Sequence, residues 1–307
     1  MSPVIRARDL ARWYGQVVGL NDLTVDIESG ITGLLGPNGA GKTTFLRLIA
    51  GELQPSRGSI EVLGRSPFAN RELFRQLGFA PQQDALYEDM SALEFVTFLA
   101  RLHGLSKSEA RGRAGNALER VGLGGDLNRK LREYSKGTRQ KTRIAQSFAH
   151  APTLLVLDEP LTGLDPVARV DMLSLFRELA DSGVSIVVSS HVLHEVSALT
   201  QDVVLVHRGR LLARGEVADI RKLLDKHPRR VEIRAREPRR LAKELIELET
   251  VASVSLSDED RHLSVETRDV DAFFRTLTPI AARTRCGILE LESVDAGLES
   301  VFDYLVQ

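Results

Sequence analysis

The 307-residue chain has one cysteine, Cys286, so it forms no internal disulfide and a reducing compartment is expected. It has no excess of either charge: 41 Lys and Arg face 42 Asp and Glu. That balance excludes the strong cationic field that draws a protein to nucleic acid or anionic lipid, and no nucleic-acid partner is expected. Long apolar runs are missing as well. A stretch such as Ile186 to Val188 is far short of the roughly 18 residues a membrane helix needs, so any membrane link is expected to run through a partner protein. Met1 to Arg8 has no apolar core and does not read as a signal peptide. Repeats and low-complexity segments are lacking. What remains is ordinary globular composition, 43% hydrophobic and 27% charged, which supports a packed core and argues against disorder.

Across residues 1–225, short apolar runs alternate with helical patterns, the mark of an α/β domain. Ile31 to Leu35 reads as a strand entering a glycine-rich loop, and Lys42 to Ala50 as a helix with Phe45, Leu46 and Ile49 on one face. Leu154 to Leu157 and Ile186 to Val188 are continuous apolar strands, the pattern of parallel strands buried on both faces. Val4 to Ala7 and Leu23 to Ile27 look like half-exposed strands of a smaller antiparallel sheet. Residues 82–150 are mostly helical, with Leu93, Val96 and Ala100 on one face, and read as an insertion into the α/β core. A boundary is expected near Lys226-His227-Pro228-Arg229-Arg230. Beyond it, residues 226–307 cycle strand (Val231 to Ala235), helix (Arg239 to Glu249), strand (Val251 to Ser255), strand (His262 to Glu266), helix (Val270 to Ala282) and strand (Gly287 to Ser293). That order predicts a small α+β, ferredoxin-like domain, with a last helix over Ala296 to Leu305.

Two elements carry chemistry. Gly36-Pro37-Asn38-Gly39-Ala40-Gly41-Lys42-Thr43, followed by Thr44, matches G-x-x-x-x-G-K-S/T. Glycines let backbone N–H groups close around phosphate oxygens, and the helix opening at Lys42 adds its positive dipole end. Lys42 is placed to reach the β- and γ-phosphates, and the Thr43 hydroxyl to ligate Mg²⁺. Leu154-Leu155-Val156-Leu157-Asp158-Glu159 then delivers two carboxylates at the end of a buried strand, where open α/β sheets bind ligands. Asp158 suits the Mg²⁺ shell and Glu159 the role of general base toward water. Together they predict a P-loop NTPase that takes MgATP.

Further motifs resemble those of the ABC (ATP-binding cassette) ATPases. Tyr134-Ser135-Lys136-Gly137-Thr138, about twenty residues before the second strand and opening a helix over Arg139 to His150, is similar to the signature Leu-Ser-Gly-Gly-Gln. Ser135 and Gly137 match it; Lys136 and Thr138 depart, in a form that looks like the variant of ABC-2-type exporter ATPases. Gln82 resembles the family's Q-loop glutamine, which touches Mg²⁺ and water. Asp165, in Leu161-Thr162-Gly163-Leu164-Asp165-Pro166, resembles the D-loop, and His191 the switch histidine. Tyr14 matches the aromatic that stacks on adenine, with Trp13 beside it a second candidate and a simple core aromatic the alternative reading. The motif order spans residues 1–225.

The resemblance implies a RecA-like ABC cassette with antiparallel and helical subdomains. It implies ATP and Mg²⁺ as ligands and catalytic roles for Glu159, His191, Lys42 and Gln82. It implies a second cassette, in a homodimer or heterodimer, whose signature caps the γ-phosphate bound here. It also implies an ABC-2-type transmembrane permease, which the chain serves from the cytoplasmic face of the membrane. The stretch Asp84 to Ser91, with Phe95, Phe98 and Leu99, is where the family presents a groove to that permease, although core packing accounts for the three side chains equally well. Gly297-Leu298-Glu299-Ser300-Val301-Phe302 is similar to the closing segment of exporter ATPases and implies an accessory or regulatory tail. The alternative is a soluble ABC ATPase of cofactor assembly or repair. Repair types insert coiled coils or zinc cysteines before the signature, whereas here about ninety residues intervene with no cysteine. His191 and His194 lack a third ligand for zinc. Cys286 reads as a core or edge thiol and Arg221 to Arg230 as a solvated linker.

Overall fold

The continuous apolar runs are strands covered on both faces. The computed structural model describes residues 3–83, 86–125, 127–218, 229–257 and 262–293. The chain divides into two units, Met1–Val217 and Ala218–Gln307. The division falls ahead of the basic run, most of which lies outside the described residues.

In the first unit a six-stranded sheet runs in the order β5 (Leu77–Ala80), β6 (Leu154–Leu157), β7 (Ser185–Ser190), β3 (Ile31–Leu35), β8 (Asp202–His207), β9 (Arg210–Glu216). Neighbours from β5 to β8 are parallel, and β9 returns antiparallel to β8. Side chains on a strand alternate between faces, so each apolar strand feeds two cores. Val156, Val187 and Val204 enter the core that holds Phe45, Leu46 and Ile49 of α1 (Lys42–Ile49). Leu155, Leu157, Ile186 and Val188 enter the opposite one.

A three-stranded antiparallel sheet, in the order β2 (Val17–Ile27), β1 (Ile5–Tyr14), β4 (Arg57–Val62), closes the first core over α1 with Ile5, Leu10, Leu23 and Ile60. The short α2 (Arg71–Phe74) precedes β5. The second core is built by α3 (Ala92–Leu102), α4 (Lys107–Arg120), α5 (Lys136–Phe148) and α6 (Pro166–Asp181). Local chemistry sets their starts. Ser91 and Glu94 form a reciprocal capping box on α3, Ser106 caps α4, and Asp165 with Pro166 opens α6. The helix expected from Arg139 begins at Lys136, because the Ser135 hydroxyl accepts from the Thr138 N–H at 3.2 Å and so caps it three residues earlier. The short α7 (Leu193–Ser197) follows β7.

The second unit contains β10 (Arg229–Ala235), α8 (Pro238–Leu245), β11 (Val251–Ser257), β12 (His262–Thr267), α9 (Val270–Thr284) and β13 (Ile288–Ser293). Its antiparallel sheet has the order β11-β12-β10-β13, the ferredoxin-like arrangement in which the first strand sits between the third and fourth. Val231, Ile233, Leu263 and Val265 pack with Leu241, Leu245, Phe273 and Leu277, and Cys286 is buried in the same core. The first helix was expected to reach Glu249. It stops at Leu245 because turn bonds from Leu248 N to Leu245 O and from Val251 N to Leu248 O bring Leu248 and Val251 onto the core. The helix expected over Ala296 to Leu305 and the segment Gly297 to Phe302 lie outside the described residues.

Candidate active site

β3 ends at Leu35, and the chain turns through residues 36–41 into α1. Glycine is compulsory at two of these positions. A Cβ on Gly36 would run into the Val206 carbonyl. Gly41 caps α1 at φ +104°, and a Cβ there would sit 2.5 Å from the Gly19 carbonyl oxygen. Lys42 is buried, and its ammonium donates to the carbonyls of Gly36 at 2.6 Å and Pro37 at 3.1 Å. Its Nζ also lies 3.3 Å from Glu159 Oε1. The loop thus curls around its own lysine at the edge of a cleft of about 260 Å³. Pro37 to Thr44 line the cleft, together with Gln82, Glu159, Tyr14, Val17, Val18 and Gly19. Tyr14 is 41% exposed and offers a flat apolar wall. Trp13 is as exposed but does not line the cleft, and at that exposure the core-aromatic reading fails for both rings.

Asp158 and Glu159 leave the end of β6, and Ser189 of neighbouring β7 holds both. The Ser189 hydroxyl donates to Asp158 Oδ1 at 2.7 Å and accepts from the Glu159 N–H at 2.9 Å. Burial pushes the Asp158 carboxyl above its usual range, and the hydroxyls of Ser189 and Thr43 oppose that rise. Asp158 Oδ2 is buried without a hydrogen-bond partner. A buried carboxylate oxygen without a partner, on a group that the Thr43 hydroxyl also touches, suits a hard cation with oxygen ligands, so Asp158 and Thr43 fit Mg²⁺; Thr43 and Gln82 line the cleft, whereas Asp158 and His191 are not among its lining residues.

Glu159 takes φ +49°, a left-handed conformation rare for a residue with a side chain. Strain of this kind costs on the order of 1–3 kcal/mol and persists where neighbours over-determine it. Here the Ser189 bond, the Thr162 N–H donating to the Glu159 carbonyl at 3.2 Å, and the side-chain contacts hold it. Glu159 Oε2 lies 2.9 Å from His191 Nδ1, and Oε1 faces Lys42. The carboxylate is therefore pinned between an ammonium and an imidazole at the wall of the cleft.

Ser135, Gly137 and Asp165 do not line this cleft. Ser135 is exposed, and Asp165 is spent within the chain as the α6 cap, its Oδ1 accepting from Ala168 N at 2.9 Å. The two loops share one place: a Cβ on Gly137 would lie 3.2 Å from the Gly163 carbonyl, and the Lys136 stem lies against Gly163. Sequence reading missed Ser189. A serine within an apolar strand is a buried hydroxyl that must find a partner, and that was the available signal.

The family model described as ABC transporter matches residues 20–162. The bacitracin transport ATP-binding protein BcrA of Bacillus licheniformis is 36% identical over 215 residues, 69% of each chain. The daunorubicin/doxorubicin resistance ATP-binding protein DrrA of Streptomyces peucetius is 29% identical over 300 residues, 97% of this chain and 91% of that one. Relatives above 35% identity share 63% to 84% of their length with the chain. A solved ATP binding subunit of an ABC transporter superposes with a TM-score of 0.65 at 32% identity, covering 71% of this chain and 92% of that one.

Proposed function

The chain belongs to the ABC transporter ATP-binding family, and from that premise we propose that it binds MgATP in the cleft between residues 36–44 and Glu159, hydrolyses it, and powers export through a separate ABC-2-type permease. The observation that carries this reading is the Glu159 carboxylate held between Lys42 and His191, in a strained backbone, beside a phosphate-sized glycine loop.

The loop N–H groups and the α1 dipole receive the phosphates, and Lys42 exchanges the Gly36 and Pro37 carbonyls for phosphate oxygens. Thr43, Asp158 and Gln82 are the residues that would hold Mg²⁺, which when bound neutralises phosphate charge. Glu159 accepts the proton of the attacking water, and His191 keeps its carboxylate aimed. Tyr14 stacks on the adenine. Ser135, Gly137 and Asp165 serve the cleft of a second cassette, homologous or identical: the outward N-terminus of the 13-residue α5 offers its dipole and the Ser135 hydroxyl to that γ-phosphate. ADP lacks those contacts, so ATP biases closure.

The permease reading is supported by an aromatic surface a few residues past Gln82. Tyr87, 57% exposed, packs edge-on against Phe95 at 5.9 Å and Phe98 at 6.0 Å, with Phe98 and Leu102 exposed beside it. Asp84 and Ala85, at the start of the expected groove, lie outside the described residues. No helix among the described residues is long and apolar enough to cross a membrane; in this reading the permease supplies the membrane link and holds the chain peripherally on the cytoplasmic face. The extended match to a drug-resistance ATPase, tail included, favours export over a soluble ABC ATPase. Co-expression with the co-encoded multi-helix membrane protein tests this: the chain should sediment with membranes only when that protein is present. A chain that stays in the supernatant beside every such candidate overturns the transport assignment.

A further inference from the structure

Arg143, on the third turn of α5, is 8% exposed, and it bonds both to backbone at the cleft and to a neighbouring side chain. Its Nη1 donates to the Gln82 carbonyl at 2.7 Å, and its Nη2 donates to Gln140 Oε1. The Gln140 amide, itself 2% exposed, donates to the Pro160 carbonyl at 2.7 Å. One turn further on, Gln146 donates to the Phe79 carbonyl at 2.7 Å. Positions 140, 143 and 146 fall three apart, on one face of the helix. A continuous chain of side-chain bonds therefore joins the backbone of Gln82 to that of Pro160, the residue after Glu159, and ties both to the helix whose N-cap is Ser135.

We propose that Arg143 is a positioning residue for ATP hydrolysis: with Gln140 it sets the backbone of Gln82 relative to the Glu159–Pro160 segment. The inference rests on the hydrolytic reading above and adds a residue to it. Three physical points support it. Burying a guanidinium is costly and is retained where its donors are used in a fixed geometry, and a planar fork can grip two acceptors at once, which an ammonium cannot. The acceptors at both ends are main-chain carbonyls, so what is fixed is the path of the chain. Glu159 sits in a left-handed conformation, and the bond to Pro160 restrains the residue directly after that strained position. If Gln82 is drawn out of the cleft, Arg143 either follows it or loses a charge-assisted bond, so the state of Gln82 is felt at the Glu159–Pro160 segment.

The test uses the full chain and compares wild type, Arg143→Gln, Arg143→Lys, Gln82→Ala and the Arg143→Gln/Gln82→Ala pair, measuring kcat and the Kd for MgATP. Arg143→Gln should lower kcat about 10- to 100-fold while leaving the Kd within about threefold, as expected when a catalytic group is misplaced and the phosphate loop is intact. Arg143→Lys should recover part of kcat, since one N–H can still reach Gln82. The pair should lose less than the product of the single losses, because both act on the same element. Should Arg143→Gln fail to fold, Arg143→Lys and Gln140→Met carry the same comparison. A kcat within about twofold of wild type, a parallel weakening of MgATP binding, or fully multiplicative losses would overturn the proposal. A wild-type chain that retains no ATP and hydrolyses none defeats the hydrolytic reading and the clamp with it. A hydrolysing wild type beside an unimpaired Arg143→Gln defeats the clamp alone.

Discussion

Ser189→Ala removes one buried hydroxyl and should disturb both acidic residues at once. Ser189 is 0% exposed, and no water can replace the bonds it makes to Asp158 Oδ1 and the Glu159 N–H. Leaving a buried polar group unsatisfied costs about 1–3 kcal/mol, more for a charged one, so two such groups amount to about 2–6 kcal/mol. Part of that appears as lost stability. The rest falls on the site, where about 2 kcal/mol of lost orientation at Glu159 corresponds to a fall of about 30-fold in kcat/KM. Asp158 adds a pH signature. Burial already raises its carboxyl and the Ser189 bond holds it down, so the variant raises it further. Mg²⁺ competes with the proton for that carboxylate, so the variant should need more Mg²⁺, and the deficit should shrink as pH rises. The assay is a Mg²⁺ titration of ATPase activity at several pH values, paired with chemical denaturation. Stability within about 0.5 kcal/mol of wild type, together with an unchanged Mg²⁺ requirement at every pH, would refute the reasoning.

His150 gives a second pH test: its ring stacks on His103 at 3.6 Å, and burial pushes its pKa down to about 3. An unfolded histidine charges near pH 6.5, so this neutral ring contributes stability above that value and loses it as pH falls toward 3; unfolding at pH 5 should be easier than at pH 7 by about 2 kcal/mol, and His150→Phe should flatten that slope. Tyr14→Ala should weaken MgATP binding by about 1–3 kcal/mol through lost stacking while leaving kcat nearly unchanged, read by nucleotide titration.

How much was legible in the sequence follows from how local each signal is. The glycine loop, the apolar strand ending in Asp158 and Glu159, and the β-α-β-β-α-β order of the tail are patterns of neighbouring residues, and the structure contains each of them. α5 starts at Lys136 and not at Arg139 because the Ser135 hydroxyl caps it there, a role open to a serine at that position beside its ligand chemistry. The end of α8 at Leu245 was missed because Leu248 continues the helical spacing, yet it reaches the core through a turn. Gln140 and Arg143 were invisible for a different reason, and for Ser189 only its place in an apolar strand hinted at a partner. Their partners lie 20 to 61 residues away in sequence, and only the fold brings them together. For Ser135, Gly137 and Asp165 the position was legible, but their place is away from this chain's own cleft.

The most direct test of the central claim is single-turnover hydrolysis by Glu159→Gln at saturating MgATP. The substitution keeps the shape of a side chain wedged between Lys42 and His191 and removes only its capacity to take a proton. The account predicts a chain that holds MgATP as tightly as wild type and hydrolyses it about 10²- to 10⁴-fold more slowly. Hydrolysis at the wild-type rate, or a wild-type chain that holds no MgATP, would contradict it.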